Sequence, residues 1–285
     1  FNFLSPEIEF YILFISRNLN EDQVVEAFNT GNSDVEPALL KFSRIWIYSK
    51  SGNSTKVISE INSLKESIQG FNFCYLDYLK GEAELNQLKN PSKSLYSFLN
   101  CTKGNAFVKS AYRRLAWYAL LQNKPTNYYS FLAKARTSGS TYLEDDKQAN
   151  EESELGKVPN LYLLKARLLF DGGDYEFALT ELSNGLPNYI TEIDFTEYYY
   201  RKGRCYQAMN KELQSVPEFN QTIKKGKNLN AYFAASAAYN LGIIKKNSGQ
   251  IDSARFFLKM VENFPKHAYT SSLSMKAAGI LNSLP

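Results

Sequence analysis

Between Leu161 and Leu179 apolar residues recur at helical spacing, lapse at Gly172-Gly173-Asp174, and then resume. That pattern predicts two amphipathic helices joined by a tight turn, because glycine and aspartate favour the backbone conformations that end one helix and begin the next. The arrangement returns twice downstream. In its clearest copy Ala238 to Gly242 lies on one helix, Ser248-Gly249-Gln250 breaks it, Ala254 to Val261 follows on a second, and Pro265 closes the unit. Three looser copies lie upstream: Leu39 to Leu64, Tyr75 to Cys101 with Asn90-Pro91 in its turn, and Ala111 to Ala135 with Asn123-Lys124-Pro125 in its turn. Unit starts near 38, 74, 109, 159, 196 and 235 give intervals of 36, 35, 50, 37 and 39 residues. A unit repeated at a period of ~35 residues predicts stacked helical hairpins, since one hairpin cannot bury its apolar face alone.

The interval of 50 places an insertion at residues 136–158. Thr141-x-x-Glu144 has the spacing of a helix capping box, so a helix is expected from Tyr142 to about Glu152. Glu144, Asp145, Asp146, Glu151, Glu152 and Glu154 make the segment acidic. With little apolar content to anchor it, it reads as a solvated helix or loop, with an acidic docking element as the alternative. Residues 1–37 read as an N-terminal helix pair without the repeat spacing, and 269–285 as a terminal helix covering the last hairpin. That leaves three degenerate hairpins in 38–135 and three clearer ones in 159–268.

The downstream units resemble the tetratricopeptide repeat, a helix-turn-helix whose pattern sets small residues where the two helices touch and large apolar ones between repeats. Gly203 and Gly242 take the small position of the first helix, and Ala178, Ser215 and Ala254 that of the second. The resemblance is clearest over 159–265 and extends more weakly over 38–135. It implies an all-α, right-handed superhelical solenoid of antiparallel helix pairs. Three departures stand out: Lys165 and Lys202 occupy a position that is normally apolar, Gly185 stands where alanine is usual, and Pro217 falls within a second helix, which is expected to start late, near Ser215. A looser similarity links runs such as Leu164 to Tyr175 and Glu197 to Gly203 to tetratricopeptide proteins of the Bacteroidota, many of them exported. It tilts the expected location towards the periplasm or cell envelope. Because the chain begins at Phe1 and not at a methionine, a processed or truncated protein preceded by an export signal is expected.

A net charge of +4 is mild for 285 residues and argues against a nucleic-acid-binding surface, which needs a denser basic face. The longest apolar run, Phe10 to Ile15, is about a third of the ~18 residues needed to span a bilayer. Cys74, Cys101 and Cys205 lie far apart without a Cys-x-x-Cys pair, so no metal site or disulfide framework is expected and each reads as a buried free thiol. His267 is the only histidine, in a predicted surface turn, which leaves no material for a histidine metal cluster or a Ser-His-Asp triad. Gly52-Asn-Ser-Thr55-Lys56 lacks the order of a phosphate loop. A non-catalytic chain with no cofactor, metal or small-molecule substrate is expected.

What the resemblance implies instead is a concave groove lined by the first helix of each hairpin. On this register the wall holds Tyr78, Arg113, Trp117, Arg167, Phe170, Tyr200, Arg204, Tyr239 and Lys246. Aromatic residues and arginine dominate binding hot spots because they bury large area while keeping a polar handle. The expected partner is a protein or peptide, acidic or ending in a free carboxylate. No unit carries the family's lysine and asparagine clamp for chaperone tails, which disfavours that ligand. Two other classes stay open: a structural subunit of a larger assembly, and a nucleic-acid-binding repeat using Lys224, Lys225 and Lys227.

Overall fold

A computed structural model describes residues 38–67, 73–267 and 269–285. Among them every regular element is helical: α1 (Ala38–Lys50), α2 (Ser54–Ser67), α3 (Cys74–Asn86), α4 (Ser92–Cys101), α5 (Val108–Leu121), α6 (Pro125–Thr137), α7 (Glu144–Leu155), α8 (Leu161–Asp171), α9 (Tyr175–Asn184), α10 (Glu192–Ala208), α11 (Glu212–Gly226), α12 (Phe233–Asn247), α13 (Ile251–Met260) and α14 (Thr270–Asn282), with two single 3-10 turns. The expected N-terminal helix pair lies outside the described residues. The described residues fall into two compact units, one within 38–157 with 171–173 and one within 158–170 with 174–285.

Six turns share one construction. Gly52, Leu88, Asn123, Gly173, Asn210 and Gly249 all adopt positive φ, and they are spaced 36, 35, 50, 37 and 39 residues apart, the intervals of the sequence units. In each, the N–H of the next residue donates back to a carbonyl five positions earlier: Asn53 to Tyr48, Lys89 to Glu84, Lys124 to Ala119, Asp174 to Leu169, Lys211 to Tyr206 and Gln250 to Lys245, all at 2.8–2.9 Å. This left-handed C-terminal cap satisfies a carbonyl that the helix end leaves without a partner and turns the chain back sharply.

In the first unit α1 packs on α2, α3 on α4 and α5 on α6, and neighbouring pairs meet through α2 with α3 and α4 with α5. Their shared core runs from Ile45, Val57 and Ile61 through Leu76, Leu79 and Leu95 to Ala111 and Leu115. In the second unit α10 packs on α11 and α12 on α13, α11 and α12 meet between them, and Phe219, Phe233, Leu241 and Ile244 form the seam. The terminal α14 lays Leu273 and Ala277 against Ala235, Ala238, Leu258 and Val261. Close approach within a hairpin depends on glycine. A Cβ on Gly81 would come within 2.6 Å of Leu95, on Gly203 within 2.8 Å of Phe219, and on Gly242 within 2.6 Å of Leu258.

The departures have physical reasons. Lys165 and Lys202 reach across their hairpins to Glu181 (3.5 Å) and Glu218 (2.8 Å), and Arg44 reaches Glu60 (3.6 Å) at the same sixteen-residue offset. A half-exposed cation replaces the usual apolar contact there because a carboxylate faces it on the second helix. At Gly185 a side chain would collide with Tyr162, whose Cβ would lie 2.6 Å away. Pro217 does not delay its helix: α11 begins at Glu212. The carbonyl that proline leaves without an N–H donor is that of Leu213, a first-turn residue 91% exposed, where water can serve it. Thr141 makes no capping box; α7 begins after Leu143 without a side-chain cap. The capping box that does form is on α10, between Thr191 and Asp194.

Two of the three cysteines are not free. Cys74, at the start of α3, and Cys101, at the end of α4, form a disulfide with their Cα atoms 5.7 Å apart. Sequence spacing alone does not reveal this, because the partners lie 27 residues apart and meet only when α3 and α4 fold into a hairpin. Cys205 is free and buried, and burial pushes its thiol up to about 12.

Candidate functional site

In the first unit the acidic insertion decides the fate of the predicted wall. Helix α7 packs against α5 and α6, burying Asp146, Ala149 and Ser153 along one face. Asp146 accepts the backbone N–H of Phe107 (2.6 Å) and of Ser110 (2.9 Å). Helix α5 has no cap of its own, since Phe107 sits at φ 63 without a side-chain acceptor, so a carboxylate from α7 serves its first turn. Lys109 donates to the carbonyls of Ala135 (3.0 Å) and Arg136 (2.9 Å) at the end of α6 and to Asn150 Oδ1 (3.1 Å). Trp117 donates its indole N–H to Glu152 at 2.6 Å, and Arg113 stands 4.0 Å from the same carboxylate.

Arg113 and Trp117 are consequently only 3% and 4% exposed, and Tyr78, packed among Tyr75, Phe98 and Phe107, is 1% exposed. They do not line an open groove. The insertion covers Arg113 and Trp117 because its Glu152 carboxylate meets the donors they present, and it is a helix packed on α5 and α6, not a loop. Tyr78 faces Ser110 (3.0 Å) and Asp145 (3.4 Å), with the Arg114 guanidinium 4.9 Å from its ring. Arg114 also bonds Ser110 and Glu82. Burial works against the Arg114 charge, but Glu82, Tyr78 and Asp145 outweigh it and hold the guanidinium protonated. Sequence reading missed Arg114, Ser110 and Asp146, whose roles depend on α3, α5 and α7 meeting.

In the second unit four predicted residues are drawn into one neighbourhood. Arg204 donates to the Tyr200 hydroxyl (3.1 Å) and lies 5.0 Å over the Phe170 ring. Tyr200 is itself buried, packed edge-on to Tyr232 (5.8 Å) and tilted against Phe233 (5.5 Å). Burial raises the Tyr232 hydroxyl pKa, with the charges of Arg201 and Arg167 opposing it. Arg201 in turn bonds Glu197 on its own helix. Tyr232 and Arg201 are members that sequence reading did not single out. Tyr239 belongs elsewhere, packed against the cluster that Ala235, Ala238, Leu258 and Val261 form with Leu273 and Ala277. Lys246 is half-buried in the last turn of α12.

His267 is half-buried and structural. Its Nδ1 accepts the N–H of Tyr269 (3.2 Å), and its own N–H donates to Thr270 Oγ1 (2.9 Å) at the start of α14. Among the described residues no group of three or more histidine, cysteine or acidic side chains could hold a metal, and no helix is long and apolar enough to cross a membrane. No family model and no curated protein matches the chain.

Proposed function

We propose that the chain is a tetratricopeptide-like module that binds and does not catalyse, with the hairpins of its second unit stacked as a right-handed superhelix. It holds an acidic segment or free C-terminal carboxylate of a partner protein against Arg167, Phe170 and Arg204, with the buried Tyr200 hydroxyl holding Arg204 in place. The observation that carries this reading is the setting of Arg204, bonded to Tyr200 and stacked over Phe170. A guanidinium oriented before the ligand arrives loses less freedom on binding, and its planar fork matches a carboxylate. Isolation of the partner from the native host, followed by Arg167→Glu with Arg204→Glu, tests it. Capture is lost in the double variant while the helical fold, read by circular dichroism, is retained; capture that persists places the site elsewhere.

A second reading, a subunit of a larger assembly, is favoured by apolar side chains on the second helices of the same unit. Phe177 on α9, Leu213 on α11 and Phe256 on α13 are 68%, 91% and 60% exposed. It predicts concentration-dependent self-association by light scattering, which a monomeric adaptor does not show. The Cys74–Cys101 bond supports an oxidising compartment for either reading, in keeping with the periplasm or cell envelope.

A further inference from the structure

We propose that α7 is an internal stand-in for a partner's acidic helix, and that the wall of α5 with the end of α6 is a recognition surface for such a helix. The wall aims only donors at α7: the N–H groups of Phe107 and Ser110, the Lys109 ammonium, the Trp117 indole and the Arg113 guanidinium. Helix α7 answers with acceptors: carboxylates at Asp145, which faces Tyr78, and at Asp146, an amide oxygen four residues on at Asn150, and a carboxylate at Glu152. An incoming helix with two adjacent carboxylates, an amide and a further carboxylate at those offsets replaces these contacts in kind, so exchange leaves these buried donors served.

The hold on α7 is polar and local. Ala149 is its only buried apolar side chain, whereas Leu155 at its end and Tyr142 just before it are 80% and 93% exposed. A segment with so little buried apolar area opens below the free energy of global unfolding. Its position agrees: α7 lies in the interval of 50 that interrupts the hairpin spacing, outside any hairpin of its own. This surface lies within the first unit and does not depend on the Arg204 site.

The test uses the full chain and a fluorophore-labelled peptide of residues 142–156. Glu152→Lys in the chain sets a cation against Arg113 and loosens the internal copy. It is expected to raise affinity for the wild-type peptide at least ten-fold over the unaltered chain, and a peptide carrying Glu152→Lys is not captured. Adding Arg167→Glu and Arg204→Glu leaves capture unchanged, which separates this surface from the second-unit site. Hydrogen exchange on the unaltered protein is expected to show α7 amides opening before those of α5. Failure of a folded Glu152→Lys chain to capture the peptide overturns the proposal, as does loss of binding in the arginine variants or exchange of α7 only together with α5. Should Glu152→Lys not fold, the exchange experiment decides alone.

Discussion

Trp117 donates its indole N–H to Glu152 at 2.6 Å, and the Arg113 guanidinium lies 4.7 Å from the same ring, so one carboxylate serves two neighbours on α5. Trp117→Phe keeps most of the ring and removes the donor, at a cost of about 1–2 kcal/mol. Trp117→Ala empties a buried site and costs about 3–5 kcal/mol. Urea denaturation measures both, and a Trp117→Phe variant as stable as the unaltered chain would show that the hydrogen bond contributes nothing.

Gly203 and Gly242 offer a contest between two opposed effects. Alanine is the better helix former by about 1 kcal/mol, but its Cβ would stand 2.8 Å from Phe219 or 2.6 Å from Leu258. Overpacking costs about 1–3 kcal/mol, so both substitutions are expected to destabilise. Gly279, also helical, has nothing within 4 Å of an added Cβ. There Gly279→Ala is expected to stabilise by about 0.5–1 kcal/mol. Thermal unfolding of the three variants checks the opposite signs.

The Cys74–Cys101 bond closes a 27-residue separation in one hairpin. Cys74→Ser with Cys101→Ser is expected to cost about 2–4 kcal/mol by freeing the unfolded chain. Alkylation under denaturing, non-reducing conditions should modify Cys205 alone, and mass spectrometry reads the number of adducts. Three adducts on protein purified without reductant would refute the bond.

Burial lowers the His267 pKa below its ordinary 6.5, so the fold keeps the ring neutral where the unfolded chain already takes up a proton. Stability is therefore full above about pH 6.5 and declines as pH falls through the window beneath it. Protonation also removes the Nδ1 lone pair that accepts the Tyr269 N–H. Thermal melts between about pH 7.5 and 5.5 should show this decline, reduced in His267→Asn, whose amide oxygen needs no proton to act as an acceptor. An undiminished slope in that variant would assign the decline to other groups.

Helix positions were legible because each hairpin carries its own signals. Gly172-Gly173-Asp174 and Ser248-Gly249-Gln250 read as turns, and both form left-handed caps. Leu88 does the same work without any turn signature in its residue type, so that turn is legible only from Asn90-Pro91 just after it. The ion pairs of Lys165 and Lys202 appeared in the sequence only as departures, since their glutamates lie on the other arm of the hairpin. The wall register implied by the resemblance included Arg167, Phe170, Tyr200 and Arg204, but could not tell that Tyr239 packs against a different cluster.

The sequence by itself determined the helices, their turns and their period, because helical rhythm, small contact residues and helix-ending turns act within some forty residues of chain. Only the tertiary structure decided that Asp146 caps a helix starting 38 residues earlier, that Glu152 covers Trp117, and that Cys74 meets Cys101. Those outcomes depend on which donors find acceptors once helices distant along the chain come together. Hydrophobic periodicity carries no record of that choice, because it sorts residues into buried and exposed without naming their polar partners.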